Sequence, residues 1–430
     1  MPWFQNFQDG PEYEARKRRG KFTPPVVSLK QLRHAIPPHL FRKSTARSLA
    51  YLLRHFAIMC IFYRLATRID AFTASMVFSP ASPASQLLYS LVRPSLWTLY
   101  WGWQGITFAG LWCLAGGCKL MTGQAGHNAL SPYPLINAII GITVHTLVLT
   151  PYYSWRITHS HHHKSTNNIE RDETYIPPTR QDLKLPEGKV AVRMDYMELL
   201  EETPAYTLFK LFVRQFLKGN PRYPSGTSHY KPSSKLFRPK DRSLIIMSDA
   251  ILVSFLSLLA FYAYKFGFSS LSAHYFMPWI FAHNWYVQLP LGLGKIWMDY
   301  CDRIVLFTYL QHSDPTIPYY RKEEWTFARG ALATVDRPLF GWVGRFFLHN
   351  ISTDHVAHHF FPTIPFYNLP EVTKAIIPVL GDYYNYDSTP AIYALWRSFT
   401  QCTFVESEGA VLFFRNQYGE ALIEPQANDH

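Results

Sequence analysis

Apolar residues in this chain gather into long blocks separated by polar stretches. Residues 49–66, LAYLLRHFAIMCIFYRLA, form one block, interrupted by Arg54, His55 and Arg64. Residues 95–115, SLWTLYWGWQGITFAGLWCLA, form a second. A helix of that length, at about 1.5 Å per residue, reaches across a hydrocarbon layer about 30 Å thick. A third block, 244–264, carries Asp249 as its one charged residue, and a fourth runs from near Tyr275 to near Leu310. The pattern predicts about four membrane helices, near 49–66, 95–115, 244–264 and 275–310. The polar stretch 164–243, rich in Pro and Lys, is expected outside the bilayer.

Orientation follows from charge. The basic run Arg16–Lys21 holds the N-terminus in the cytosol under the positive-inside tendency. Two crossings then return the chain to the cytosol near residue 120, and two more do so before residue 349. The histidine-rich stretches at 127, 159–163 and 355–359 would thereby share one side. Residues 135–150, LINAIIGITVHTLVLT, are apolar but bounded by Pro132, Pro134 and Pro151. Were they to cross, His127 and His159 would stand about 30 Å apart, so a shared site requires this segment to lie in the interface.

Composition agrees with a membrane protein that has sizeable polar parts. Charged residues are only 17% of the 430, aromatics reach 16%, and the formal net charge is +12. Such a charge suits nucleic acid or an anionic membrane surface; no nucleic-acid motif accompanies it. The five cysteines, at 60, 113, 118, 301 and 402, are odd in number and form no CxxC pair, which fits a reducing compartment. The first residues lack the apolar core of a signal peptide, so targeting is expected from internal spans.

The candidate chemistry lies beside these spans. RITHSHHHKSTNN, residues 156–168, contains His159, His162 and His163 in an H-x-x-H-H pattern, and DHVAHHFFPTIPFYN repeats it at His355, His358 and His359. Offsets of 0, 3 and 4 put three imidazoles on one helix face. Neutral imidazole suits Zn, Cu, Fe or Ni, so ligand type alone does not choose the metal. Six such donors exceed what one tetrahedral zinc takes, which points to two metals.

At this point the chain resembles the membrane-bound fatty acyl desaturases, and among them the oleate delta-12 class of fungi and plants. The similarity runs from LKQLRHAIPPHLF near residue 29 to FVESEGAVLFF near the C-terminus. SPYPLINAIIGITVHTLVLTPYYSWRITH, LQHSDPTIPYYRKEEWTFARGALATVDR and DHVAHHFFPTIPFY are especially similar. The resemblance implies an all-α polytopic membrane protein with a cytosolic helical cap carrying a histidine-rich di-iron site. It implies a cytosolic segment 1–46, a desaturase domain 47–405 and a cytosolic tail 406–430. Its implied cofactors are two Fe ions, held by His127, His159, His162, His163, His312, His355, His358 and His359. His312, in LQHSDP, matches the place from which the family draws an additional ligand. Asp354, Glu170 and Asp172 are candidates to orient ligand rings from behind, since a metal-bound histidine usually gives its other N–H to a carboxylate or carbonyl. His161, His145, His274, His283 and His349 are expected to be exposed or core histidines instead.

The first box departs from the family. Its pattern reads H-E-x-x-H; here the aligned residues are Gly123, Gln124, Ala125, Gly126 and His127, so the first histidine is missing. Residues 116–122 are extra relative to the family. Removing 286–303 would join YFMPWIFAHNW to IVLFTYL as one apolar span, as the family pattern requires. Both insertions are expected to be retained introns or gene-model errors, with an intact first box in the authentic transcript.

The implied activity is O2-dependent insertion of a cis double bond at delta-12 of an oleoyl chain, giving linoleoyl. Acetylenase, conjugase, epoxygenase and delta-15 variants of that chemistry stay open, as does a desaturase-like protein impaired by the GQAGH box. No His-Pro-Gly-Gly haem signature is fused to the chain. Electrons are therefore expected from separate cytochrome b5 and its NADH-dependent reductase, at the endoplasmic reticulum membrane. Nucleic acid is not an expected partner.

Overall fold

The computed structural model describes residues 8–76, 83–115, 129–174, 176–186, 227–283 and 306–426. His127 and both expected insertions, 116–122 and 286–303, lie outside these residues, as does most of the expected fourth span. The architecture is mostly helical. After α1 (Pro11–Lys17) and α2 (Leu29–Ala35), α3 (Thr45–Ala66) starts where the Ser44 hydroxyl accepts from the Arg47 amide, a side-chain N-cap. α4 (Ile69–Ser75) continues α3, and together they are long and apolar enough to cross a membrane. So is α8 (Arg242–Phe266) with the short turn before it.

Both helices display their apolar side chains outward. Leu53, Ile61 and Leu65 of α3 and Val253, Leu258 and Phe261 of α8 are exposed. A run of that kind in water would be a large apolar patch, and lipid is its natural solvent. α5 (Pro83–Ala115) is longer than the 95–115 block. The leucine-rich segment before Pro94 supports further helical turns, and Pro94 sits inside the helix. α5 packs on α3 and on α9 (Met277–His283). A Cβ on Gly110 would collide with the Phe347 carbonyl and the His55 ring, and one on Gly105 would meet Phe281. Glycine is needed there for close approach.

The segment 135–150 is not a straight crossing. α6 (Pro134–Leu147) ends in a turn with Leu149 at φ 58°, and α7 (Tyr152–Ser165) departs at 106°. Pro151, in extended conformation, is the N-cap residue from which the new helix departs. The carbonyls left over at the end of α6 are satisfied from the side: Tyr275 donates its hydroxyl to Leu147 O at 2.9 Å and Trp279 its Nε1–H to Val148 O at 2.8 Å.

Two small strand pairs join distant parts of the chain. Lys21–Phe22 lies parallel to Glu424–Pro425, and Tyr319–Tyr320 antiparallel to Val411–Leu412. A buried ionic cluster ties α1 to the C-terminal part of the chain. Arg337 Nη2 lies 2.6 Å from Asp314 Oδ2, Arg397 Nη2 lies 2.5 Å from Asp387 Oδ2, and Arg16 reaches toward both carboxylates. Arg397 also pairs with Asp9 and covers the Tyr13 ring.

Candidate metal centre

The sharp turn into α7 brings its His face to a place where two other pieces of chain deliver imidazoles. α10 (Leu306–His312) ends on His312, and α11 (His355–Phe360) carries His355, His358 and His359 behind Asp354 as its N-cap residue. Two groups of nitrogens that could hold a metal ion result. His159, His163 and His358 form one; His162, His312 and His359 form the other; within each group the donor atoms lie within 4.8 Å of one another. His355 joins the second, its Nε2 being 3.0 Å from that of His312 and 3.1 Å from that of His359. The groups abut, with the His163 and His359 rings stacked at 4.2 Å.

The spacing of these nitrogens fits ligation of a shared ion. Two donors about 2.1 Å from one ion, opening at 90–110°, lie about 3.0–3.4 Å apart. His159 and His163 meet Nε2 to Nε2 at 3.1 Å, and His162 and His312 at 3.3 Å.

Tautomers point the same way. The His162 Nδ1 lies 3.0 Å from Asp172 Oδ1, the His355 Nδ1 3.2 Å from the Ile351 carbonyl and the His359 Nδ1 3.2 Å from the Thr166 hydroxyl. The Asp172 carboxylate and the Ile351 carbonyl are pure acceptors here, so each holds a proton on Nδ1. The Thr166 hydroxyl already donates to the His162 carbonyl at 2.8 Å, so it too is the acceptor. Each ring is left with a bare Nε2 facing inward.

Burial favours the neutral form of four of the rings. It holds His312, His355 and His359 well below the usual histidine range, with neighbouring imidazoles adding to the effect, and lowers His358 to about 4. Neutral imidazole is the metal-binding form.

Seven of the eight expected donors are thus brought together; the eighth, His127, lies outside the described residues. Of the three expected supporting acids, Asp172 alone meets a ligand ring. Its carboxylate also accepts the amides of Asn167 at 3.0 Å and Thr174 at 2.9 Å. Glu170 pairs with Arg321 at 2.8 Å, and Asp354 with Arg345 at 2.9 Å. Sequence reasoning passed over Thr166, and also Asp336, which anchors the start of α11. The buried Asp336 carboxylate accepts the Val356 amide at 2.7 Å and the Tyr384 hydroxyl at 2.6 Å. Burial, then the nearby Asp354, raises it well above the usual carboxylate range.

The other histidines stay apart. His161 faces Glu173 at 3.3 Å, His145 packs between the Tyr152 and Trp155 rings, and His274 packs against Tyr63, Trp97 and Tyr100. His349 Nε2 lies 3.2 Å from His55 Nδ1, whose own Nε2 donates to Thr107 O at 2.7 Å. The His283 side chain is outside the described set.

An apolar cavity of about 30 Å³ opens against His159, His355 and His358, walled by Trp112, Ile351 and Phe366 among others. It holds about one water-sized group.

Comparison with known proteins places the same stretch of chain. A family model for fatty acid desaturases matches residues 95–390. The chain is 35% identical over 406 residues to a delta(12) fatty acid desaturase of Mortierella isabellina, covering 91% of each. It is 35% identical over 405 residues to an endoplasmic reticulum omega-6 fatty acid desaturase of Brassica juncea, covering 92% of each. It is 32% identical over 433 residues to an oleate hydroxylase of Claviceps purpurea, covering 92% of this chain and 82% of that one.

Proposed function

The chain belongs to the fatty acid desaturase family, and from that premise we propose that it converts oleoyl chains to linoleoyl chains by forming a cis double bond at delta-12. It is an oxidoreductase, with histidine clusters that could bind metal and with lipid as its substrate. The observation that carries the finer reading is the pair of abutting histidine groups opening onto an apolar cavity. The names of the Mortierella and Brassica relatives support delta-12.

A saturated methylene has no acidic proton, so side-chain acids and bases cannot remove its hydrogens. In the proposed reaction, an oleoyl chain, O2, two electrons and two protons give a linoleoyl chain and two waters. Two iron ions, one on the first group (His159, His163, His358) and one on the second (His162, His312, His355, His359), would supply the reductive activation of O2 that such a carbon requires. The chain's own residues do the rest. Asp172, Thr166 and the Ile351 carbonyl keep ring tautomers fixed, and Trp112, Ile351 and Phe366 keep water from the reacting carbons.

The same reading puts about four spans in the endoplasmic reticulum membrane, with the histidine boxes facing the cytosol. Separate cytochrome b5 and its NADH-dependent reductase supply the electrons. It divides the chain into a cytosolic segment 1–46, a desaturase domain 47–405 and a tail 406–430. Expression in a yeast that makes oleate but no dienes tests it: linoleate in the fatty-acid profile is the expected result.

A second reading has its own observations. Similarity to an oleate hydroxylase is nearly as high as to the desaturases, and the first box reads GQAGH. Hydroxylated, epoxy, triple-bonded or conjugated products in that yeast would favour it. No new product from protein that accumulates would favour an impaired enzyme.

A further inference from the structure

Ile351 occupies a place that joins the metal groups to the cavity. Its carbonyl accepts from His355 Nδ1 at 3.2 Å, and the residue lines the cavity with His159, His355 and His358. Its position is set by an unusual stretch of backbone. His349 and Asn350, just before it, both have left-handed φ, 53° and 64°. Neither is glycine, so the surroundings must hold this turn against its intrinsic cost. His349 is held by its bond to His55 on α3, and Asn350 donates its amide to the Phe366 carbonyl at 3.2 Å. Phe366 is another wall of the same cavity, and its ring meets His349 at 5.0 Å. The turn therefore fixes two pieces of wall, Ile351 and Phe366, relative to a ring of the second metal group.

We propose that Ile351 is a specificity-determining contact: the reacting part of the acyl chain seats against its side chain, opposite His159 and His358, and its bulk sets which carbon faces the metal groups. The proposal rests on the acyl-chain reading above. Because the bond to His355 comes from the backbone, a side-chain change at 351 alters the wall without removing the support of that ring. The cavity has room for about one water-sized group, so a change of one or two carbons at this position is large relative to the space.

The test needs no turnover. Purified full-length protein is photolabelled with oleate bearing a diazirine at carbon 12, supplied both as phosphatidylcholine in vesicles and as the coenzyme A thioester, with unlabelled oleoyl chains as competitor. Label from at least one carrier should fall, competably, on peptides containing Trp112 or Ile351–Phe366. Ile351→Trp should reduce it about tenfold, equivalent to about 1.4 kcal/mol of binding, with iron content unchanged. Ile351→Ala should move the maximum of labelling to a diazirine on a neighbouring carbon, and it decides the matter if the Trp variant does not accumulate. Label elsewhere in the wild type, or a pattern that neither variant changes, overturns the proposal. Failure to form linoleate in yeast while label remains on this wall would count against the delta-12 reading alone. Linoleate formed without label on the wall would count against Ile351 alone.

Discussion

The Nδ1 of His162 and the Oδ1 of Asp172 lie 3.0 Å apart, both side chains almost wholly buried. Asp172 is fixed in turn by the amides of Asn167 and Thr174. The carboxylate can therefore orient a metal-facing ring without needing to move. Asp172→Ala should lower metal affinity about 10–100-fold, the usual loss when such a partner is removed. Metal titration of the purified variant, compared with wild type at matched folded fraction, measures this. Unchanged affinity would mean that the pair serves the fold only.

The two histidine groups should lose metal independently. His312 belongs to the group of His162, His355 and His359, whereas His159 belongs with His163 and His358. In a chain whose first box is repaired by Gly123→His and Gln124→Glu, His312→Ala and His159→Ala are each expected to reduce bound iron from about two ions to about one per chain, and the double variant to abolish it. Elemental analysis of protein purified under one protocol reads the ratio. Full loss from either single variant would show that the groups fill only together.

The buried cluster around Asp387 should show its worth in a pH-resolved comparison. Burial alone would raise this carboxyl, but Arg337, Arg397 and Arg16 outweigh it and hold it far below the usual range. A folded pKa below the unfolded one gives stability that is complete above the unfolded value, about 3.9, and is lost as pH falls through the folded value. Asp387→Asn leaves buried guanidinium groups undercompensated and should cost about 3–5 kcal/mol. The gap in thermal stability between wild type and variant should hold from about pH 8 to 5 and narrow only below about pH 4. Because Arg16 belongs to α1, limited proteolysis of the variant should cut the N-terminal segment first.

This chain carries a net charge of +12, which suits electrostatic docking of the proposed electron donor through an acidic face. Screening shortens from about 10 Å at 0.1 M salt to about 3 Å at 1 M. Turnover supported by purified cytochrome b5 should therefore slow as salt rises, while label binding in the apolar cavity should not. Salt-independent turnover would argue against electrostatic docking.

The metal-binding faces could be read before the fold because helix periodicity is local. His159, His162 and His163 share a face for the same reason as His355, His358 and His359, and no distant residue is needed to know it. The apolar blocks inside α3 and α8 were legible for the same reason. Support for the rings was not. Thr166 reaches His359 across 193 positions of sequence, and Asp336 anchors α11 from 20 residues upstream. A threonine or aspartate in such a stretch has no periodic signature. The pairing of Lys21–Phe22 with Glu424–Pro425 is hidden likewise, since two-residue strands leave no alternation to detect. Glu170 and Asp172, two positions apart, looked alike in the sequence. They separate because Arg321 takes the first to the surface while the turn at Asn167 and Thr174 holds the second inward.

The first box decides how far the proposed chemistry reaches. Among the described residues, one group gathers His159, His163 and His358, whereas the other has four imidazoles, His162, His312, His355 and His359. The resemblance gives this site His127 as well, and a first-box histidine that this chain replaces by Gly123. Glycine has no donor atom, so a group served from that box would hold its ion with one ligand fewer, and the loss should show at that group first. Gly123→His with Gln124→Glu is therefore expected to raise iron content and linoleate yield together, the more so when 116–122 is also removed. His312→Ala placed on the repaired chain should then cost the other ion and leave the restored one. If cDNA carries the insertions and the repaired chain binds no more iron than the original, the first box contributes nothing to the site. The seven assembled histidines would then have to account for all of its metal.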